Sequence, residues 1–262
     1  MKHAIASLLL RAGLTLGRRV DEAALRQVLG RLHPVTTRHP LVRIGGRADG
    51  GYLVPDDLAG VVACFSPGVG RVAGFESDMV ARGIPCYLAD GAVEAAPIQG
   101  PLIHFEKAFV GVLDGDGVTT LASWVTRCAP PEGDLLLQMD IEGSEWPVLL
   151  NLPEEVLERF RVVIVEFHGL DRLADRLGFR VLGGVLERLL GHFHLVHNHP
   201  NNWGGMLRLR DIQLPTVMEM TWLRRDRAVP SGHACCFPHP LDVPNCPTRR
   251  DIRLPRIWYR HD

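Results

Sequence analysis

Two spacings of apolar residues alternate along most of this chain. From residue 61 onward, short runs of consecutive apolar residues are separated by stretches in which apolar residues recur every three or four positions. The runs predict buried strands, and the wider spacing predicts amphipathic helices. Because strands alternating with helices are typical of a mostly parallel sheet covered on both faces, we predict an α/β fold. The predicted strands are residues 61–65, 86–89, 102–105, 134–139, 162–167, 194–197 and 216–222.

The segments around these strands follow other patterns. Asp49-Gly50-Gly51 separates the apolar pairs of residues 41–44 and 52–55, which predicts a turn between two short strands. Residues 229–262 are rich in proline and cysteine, and we predict that they pack on the domain as extended structure. Helices are predicted at residues 3–17, 21–32, 75–82 and 172–190. The resulting division is an N-terminal helical segment at 1–40, a Rossmann-like domain at 41–228 and a C-terminal extension at 229–262.

Composition and charge exclude several classes of protein. Of the 262 residues, 46% are hydrophobic and 23% are charged, which is ordinary for a globular domain and argues against disorder. The formal net charge of -1 provides no field that would favour nucleic acid. The 6 cysteines include no Cys-x-x-Cys pair, which indicates reduced thiols and hence a cytoplasmic protein.

The first predicted helix begins with an apolar stretch that Arg11 interrupts. A run this short is insufficient for a membrane span and makes a poor signal peptide, so we expect no transmembrane segment. An amphipathic helix here would pack on the domain or on a partner. A homo-oligomer contact and a peripheral membrane contact through this helix are the alternatives that remain open.

A glycine-rich loop follows the strand at residues 61–65. The loop reads Ser66-Pro67-Gly68-Val69-Gly70, and glycines at a strand-to-helix turn let the backbone approach a ligand closely. Asp90 ends the next strand about twenty residues later, where its carboxylate can accept hydrogen bonds from ribose hydroxyls. This pair alone does not separate NAD from S-adenosylmethionine. The missing third glycine and the absence of a phosphate-binding lysine loop favour S-adenosylmethionine.

Acidic residues also follow the strand at residues 134–139. Asp140, Glu142 and Glu145 come directly after this strand, above the expected ligand cavity. A carboxylate such as Asp140 is expensive to desolvate beside a cofactor loop, so we predict that it functions there. For Glu145 the alternative is equally strong, because a glutamate at a helix start also interacts favourably with the helix dipole.

The run Asp140-Ile141-Glu142-Gly143-Ser144-Glu145-Trp146, together with Val163–His168, resembles the central signature of the FkbM-type methyltransferase family. Residues 47–52, 68–76, 197–202 and 215–225 also resemble a branch of that family. The resemblance implies a Rossmann-like class I methyltransferase fold with a seven-stranded, mostly parallel sheet and helices on both faces. It also implies S-adenosylmethionine as the methyl donor and O-methylation, often of sugar hydroxyls. Many relatives carry an acidic residue before the glycines, where this chain has Ser66-Pro67. We expect Glu76 or the loop backbone to supply the contact to the cofactor's amino-acid end instead.

Methyl transfer to a hydroxyl needs a group that takes the proton. We favour His168 or His197 as this base, with Asp140 or Glu142 orienting it. The alternative is a divalent metal held by Asp140, His168 and His197, for which manganese, iron or zinc suits the mixed ligands. The predicted cofactor-binding residues are Ser66, Gly68, Val69, Gly70, Glu76, Asp90 and Asp140.

A polar loop follows the strand at residues 194–197, and loops on a rigid scaffold are where binding residues concentrate. We predict that His199, Asn201, Asn202 and Trp146 contact a saccharide acceptor. The sequence therefore predicts an S-adenosylmethionine-dependent O-methyltransferase acting on a sugar hydroxyl of a glycan or glycosylated metabolite. The non-enzymatic alternative is a Rossmann-like binding module in a glycan-assembly complex. An NAD-linked oxidoreductase is disfavoured, because no Tyr-x-x-x-Lys pair is present.

Overall fold

Short strands account for most of the regular structure in the computed structural model, which describes residues 17–260. In chain order they are β1 (Val35–Thr36), β2 (Leu41–Ile44), β3 (Tyr52–Pro55), β4 (Val61–Pro67), β5 (Cys86–Ala89), β6 (Ile103–Glu106), β7 (Phe109–Gly111), β8 (Val118–Thr120), β9 (Asp134–Met139), β10 (Phe160–His168), β11 (Phe193–Pro200), β12 (Met206–Leu209), β13 (Ile212–Pro215), β14 (Val217–Arg224) and β15 (Gly232–His233). The described α-helices are α1 (Glu22–Arg31), α2 (Gly74–Ala81), α3 (Leu121–Cys128), α4 (Glu145–Asn151), α5 (Glu154–Leu157) and α6 (Arg176–His192).

Seven of these strands form one sheet in the order β6-β5-β4-β9-β10-β14-β11. β14 runs antiparallel to both of its neighbours, and the other paired strands are parallel. The sheet grows outward from β4 in both directions, so the chain reverses its strand order between β4 and β9. This is the strand order of the Rossmann-like class I methyltransferase fold, which confirms the predicted fold class. Such a reversal point is where open α/β sheets bind their ligands.

Both faces of the sheet are covered, which explains the continuous apolar runs of the middle strands. Leu135 and Leu137 of β9 pack with α1, α3, α4 and α6 on one face, whereas Leu136 packs with α2 and the β2–β3 hairpin on the other. Successive side chains of a strand point to opposite faces, so a strand in this position must be apolar throughout. The core is therefore two apolar layers divided by the sheet.

The predicted strands are all present, with bounds that shift by a few residues. The predicted hairpin is also present, with Leu41 opposite Pro55 and Ile44 opposite Tyr52. The helix predicted at 172–190 is a 3-10 helix at Leu170–Ala174 followed by α6. The sequence analysis did not predict α3 or the small pairs β7–β8 and β12–β13. The strands of these pairs are too short to show a period, whereas α3 does carry one, with Leu121, Trp124 and Val125 buried at three- and four-residue spacing. The helix predicted at 3–17 lies outside the described residues, except for its last position, and so does its suggested partner contact.

The C-terminal segment packs on the sheet and on α1. β15 pairs with β1, and a 3-10 helix at Arg256–Trp258 places the Trp258 side chain in the core, fully buried. Asn202 holds the same segment through its side-chain amide. Its Nδ2 donates to Cys246 O at 2.9 Å, and its Oδ1 accepts from Cys246 N at 2.7 Å. No helix in the part of the chain that the structure describes has the length and apolar character needed to cross a membrane.

Candidate functional site

A cavity of about 600 Å³ opens at the carboxyl ends of β4, β5 and β9. The loop after β4 forms its floor, and the β2–β3 hairpin forms one wall through Asp49 and Tyr52. The small β7–β8 pair forms another wall through Phe109 and Val118. The predicted cofactor residues that line the cavity are Gly68, Val69, Gly70, Glu76, Asp90 and Asp140.

The glycine loop lies against the end of β9. Gly68 has φ +85°, and a Cβ on this residue would lie 1.6 Å from the carbonyl oxygen of Asp140. Gly70 N donates a hydrogen bond of 2.8 Å to Asp90 Oδ2, and Ala92 N donates one of 2.7 Å to Asp90 Oδ1. Each Asp90 oxygen therefore has one backbone donor and retains lone-pair capacity on the cavity side.

Ser66 is fully buried beneath the cavity rather than in its lining. Its hydroxyl contacts Glu76 Oε1 and, at 2.6 Å, Gln138 Oε1, and Gln138 Nε2 in turn donates to Tyr52 at 3.2 Å. Burial raises the pKa of Glu76, and the hydrogen bond from Ser66 opposes that rise. Glu76 therefore presents a carboxyl group to the cavity from α2.

Glu145 holds His168 in place beside this cavity. The Glu145 side chain is fully buried, and its Oε1 accepts hydrogen bonds of 3.1 Å from Ile141 N and from His168 Nδ1. Gly143 N donates to both Glu145 oxygens at 3.1 Å. With Nδ1 donating to a carboxylate, the Nε2 atom of His168 is left free to accept a proton or bind a cation. Glu145 thus organises the loop after β9 and orients the imidazole, rather than only interacting with the helix dipole.

Three further carboxylates surround His168 Nε2. The nearest oxygens of Glu142, Glu166 and Asp140 lie 3.4, 3.7 and 4.0 Å from this nitrogen. Burial raises the pKa of Asp140 to about 7, with Glu142 adding to the rise and His168 opposing it. Burial raises the pKa of Glu166 to about 10, with Asp140 and Glu219 adding to the rise. Burial alone would lower the pKa of His168, but Glu145 and Asp140 raise it. The cluster therefore surrounds one imidazole with four carboxyl groups, of which Glu166, with its pKa of about 10, is protonated near neutral pH.

His197 does not join this cluster. It lies on β11 opposite Thr221, three residues before the strand ends at Pro200, whereas His168 ends β10 opposite Val217. Its Nε2 is 3.0 Å from Asp242 Oδ1 of the C-terminal segment, and its side chain is almost fully buried. The prediction of His197 as a base or metal ligand is therefore corrected: the residue sits within the strand and not at its carboxyl end.

The four predicted substrate residues are buried, and none is among the described residues that line the cavity. Trp146 stacks on Phe167 with ring centroids 4.2 Å apart and donates from Nε1 to His168 O at 2.6 Å. Asn201 donates to Glu166 Oε1 at 2.7 Å. Asn202 binds Cys246, and His199 contacts Glu219 and Asp251. The structure does not support acceptor contacts for these residues; they build the walls behind the site.

Sequence reasoning missed several residues at the cavity. Tyr52 and Gln138 link the hairpin to β9, and Phe109 and Val118 come from strands too short to be recognised. Glu145 was identified only as a residue with two alternative roles. Its position within the Asp140–Trp146 run was the signal available, because the loop that it organises is local in sequence.

Comparisons with known proteins add little to this description. The sequence matches no protein family model, and no curated protein is significantly similar to it. Among solved structures, the chain is similar to 1,6-didemethyltoxoflavin-N1-methyltransferase from Burkholderia thailandensis, crystallised with 1,6-didemethyltoxoflavin and S-adenosylhomocysteine. The two chains share 15% sequence identity, the alignment covers 78% of this chain and 79% of that chain, and the TM-score is 0.30. At this TM-score the likeness carries no argument about function, and the fold assignment rests on the strand order itself.

Proposed function

We propose that this protein is an S-adenosylmethionine-dependent methyltransferase that methylates a hydroxyl group. One observation carries the proposal: a single cavity at the strand-reversal point joins the Gly68–Gly70 loop and Asp90 to Asp140 and Glu142. The glycine loop and Asp90 suit a nucleoside with a charged amino-acid end. Asp140 and Glu142 belong to the cluster around His168, which suits proton removal. Their meeting in one cavity brings a methyl donor and an acceptor within reach of each other.

The residues on the cofactor side fit S-adenosylmethionine. Asp90 has lone-pair capacity for ribose hydroxyls, and the tight loop at Gly68 leaves room for a ligand against the backbone. Glu76 faces the cavity from α2 and is the carboxylate that would hold the ammonium group of the amino-acid end. When bound, this cofactor supplies a methyl group to the acceptor oxygen.

The acceptor side allows two ways of activating a hydroxyl. In the first, His168 Nε2 accepts the hydroxyl proton while Glu145 holds Nδ1 and stabilises the imidazolium that forms. In the second, Asp140, Glu142 and His168 would hold a divalent cation, which would lower the pKa of the hydroxyl so that its proton could be lost to water at the exposed side of Glu142. Both ways use His168 in the orientation that Glu145 imposes.

A sugar hydroxyl is the acceptor class that we propose. Support comes from the resemblance of residues 140–146 and Val163–His168 to FkbM-type methyltransferases, which often methylate sugars. The non-catalytic module remains the competing proposal. The altered position at Ser66 favours it, whereas the relocated carboxylate of Glu76 favours an active enzyme.

Isothermal titration of the full chain with S-adenosylhomocysteine tests the cofactor assignment. We expect binding by the wild type and about 10- to 100-fold weaker binding by Asp90→Ala, because hydrogen bonds to a charged group are worth about 1.5–3 kcal/mol. Asp116→Ala, on an exposed loop, is the matched control and leaves the affinity unchanged. A folded wild type that gives neither heat nor a thermal shift would overturn the assignment.

Turnover separates the enzyme from the module. Transfer of a labelled methyl group from S-adenosylmethionine is measured with a panel of free and glycan-linked sugars. Transfer of the label to a sugar by the wild type, and its loss in His168→Gln, supports the proposal that the protein is an enzyme. Cofactor binding without transfer to any acceptor in the panel supports the module.

A further inference from the structure

We propose that Asp140, Glu142 and His168 form a binding site for a divalent cation. The site itself is argued from the side chains around His168 Nε2, and only its role in activating the acceptor rests on the proposed function. The ligand set differs from the one that the sequence predicts, because Glu142 takes the place of His197.

The spacing of the three side chains suits one cation. Their candidate ligand atoms all lie within 4.8 Å of one another, with His168 Nε2 3.4 Å from Glu142 and 4.0 Å from Asp140. Metal–ligand bonds of about 2.0–2.2 Å place two ligands of the same ion about 3–4.4 Å apart, depending on the angle between them. A cation can therefore sit among these atoms after small side-chain rotations.

Buried oxygens without hydrogen-bond partners are the second observation that points to a ligand. The Glu166 side chain is 5% exposed; its Oε1 lies 3.7 Å from His168 Nε2 and accepts a hydrogen bond from Asn201, and its Oε2 has no hydrogen-bond partner. Asp140 Oδ1 is likewise buried without a partner. Buried polar atoms are nearly always paired, because an unpaired one retains its full desolvation cost. A cation among Asp140, Glu142 and His168 would give the unpaired Asp140 Oδ1, the oxygen that faces His168 Nε2, a partner.

Glu145 prepares His168 as a ligand. Metal-binding histidines usually donate their other ring nitrogen to a carboxylate or carbonyl, which fixes the tautomer and the ring orientation. The bond of 3.1 Å from His168 Nδ1 to Glu145 Oε1 has this form, and Trp146 also holds the backbone carbonyl of His168. The imidazole is thus held with Nε2 toward the carboxylates before any cation arrives.

The mixed donor set selects the class of cation. Two carboxylates and one imidazole suit manganese, iron or zinc, whereas magnesium favours oxygen ligands alone. Bound here, the cation would contact the acceptor hydroxyl and lower its pKa, so His168 would act as a ligand and not as the base. The proposal thereby chooses the second of the two ways of activating the hydroxyl.

A second trio in the described part of the chain provides the contrast. Glu154, Glu158 and His192 also bring three candidate ligand atoms within 4.8 Å of one another. Both glutamates are more than half exposed and no buried unpaired oxygen faces the group, so nothing there requires a cation. This surface trio supplies the control variants.

Manganese binding tests the site without reference to activity. The full chain is stripped with EDTA, exchanged into metal-free buffer and titrated with Mn²⁺, and free Mn²⁺ is measured by EPR. We expect one Mn²⁺ per chain, binding at least about 10-fold weaker in Glu142→Gln and unchanged affinity in Glu154→Gln. Glu142 has an 85% exposed side chain, so its variant is expected to fold. Pulsed EPR of the bound ion is expected to show coupling to an imidazole nitrogen that His168→Gln removes.

The outcomes separate the cation site from the proposed function, because S-adenosylhomocysteine binding is measured on the same preparation. Wild type that binds S-adenosylhomocysteine but no Mn²⁺ would overturn the cation site alone. Mn²⁺ binding that Glu142→Gln leaves intact and Glu154→Gln weakens would also overturn it, as adventitious binding at the surface trio. Mn²⁺ binding at the proposed residues without any cofactor binding would leave the site standing and overturn the methyltransferase.

Discussion

Gly68 makes the closest backbone approach in the cavity. Its positive φ lies in the left-handed region, and its Cα faces the carbonyl of Asp140 with no room for a side chain. Two requirements therefore meet at one position, and only glycine satisfies both. The same contact joins the glycine loop after β4 to the loop that carries Asp140, so the two halves of the cavity share one backbone junction.

Gly68→Ala is expected to abolish cofactor binding and to lower the free energy of unfolding by about 1–3 kcal/mol, since the added methyl group must displace the Asp140 carbonyl. Titration with S-adenosylhomocysteine and urea unfolding measure the two effects. The matched control is Gly100→Ala, where an added Cβ meets no atom within 4 Å. Cofactor binding by Gly68→Ala equal to that of the control would contradict the backbone junction.

Among the elements, the short 3-10 helix at Arg256–Trp258 contributes one of the fully buried tryptophans of the core. Trp258 is fully buried on the face of the sheet that carries α1, α3, α4 and α6. Its Nε1 donates to Gln213 O on β13 at 2.9 Å. The helix thereby connects the end of the described chain to a strand pair that is distant in sequence. Periodicity cannot predict an element of this kind, because one turn contains no repeat.

Removing the buried Trp258 side chain should destabilise the fold. Trp258→Ala is expected to lower the free energy of unfolding by about 3–5 kcal/mol, because it leaves a large cavity and an unpaired carbonyl. Trp203→Ala, at a side chain that is 54% exposed, is expected to cost about 1 kcal/mol or less through loss of its contact with Arg249. Equal losses for the two variants in urea unfolding would show that the C-terminal segment does not anchor the fold.

At the scale of the whole molecule, a buried polar seam joins the C-terminal segment to the sheet. His199 lies 3.5 Å from Glu219 on β14 and 3.4 Å from Asp251 of the segment. Asn245 of the same segment donates to Glu219 and to Asp49, which lines the cavity. The segment therefore supports the hairpin wall of the site as well as covering the sheet.

The seam predicts a pH dependence of stability. Burial alone would lower the pKa of His199, but Asp251 and Glu219 raise it to about 10. A group whose folded pKa is raised contributes stability that is complete below its unfolded pKa of about 6.5 and is lost as pH rises toward the folded value. We expect His199→Gln to lower the free energy of unfolding more at pH 6.5 than at pH 9.5, measured by urea unfolding. If His199→Gln lowers the free energy of unfolding equally at pH 6.5 and pH 9.5, His199 does not carry a proton in the folded chain.

The sequence by itself determined the strands of the central sheet, the glycine loop with Asp90, and the acidic run that begins at Asp140. These features are local, because apolar periodicity and turn chemistry are written within a few residues of each other. Carboxyl ends of parallel strands meet at one edge, so placing Asp140 and His168 together also needed only the strand assignments.

Only the tertiary structure decided which polar residues share the site. Strand register places His197 within β11, and the C-terminal segment buries His199 and Asn202 behind the cavity. The contact between Glu145 and His168 joins the first residue of α4 to the last residue of β10. Spacing along the sequence does not distinguish this role of Glu145 from that of an acidic residue at a helix start. Register and long-range packing depend on the whole chain, which is why a pattern read along the sequence identifies candidates for a site but cannot choose among them.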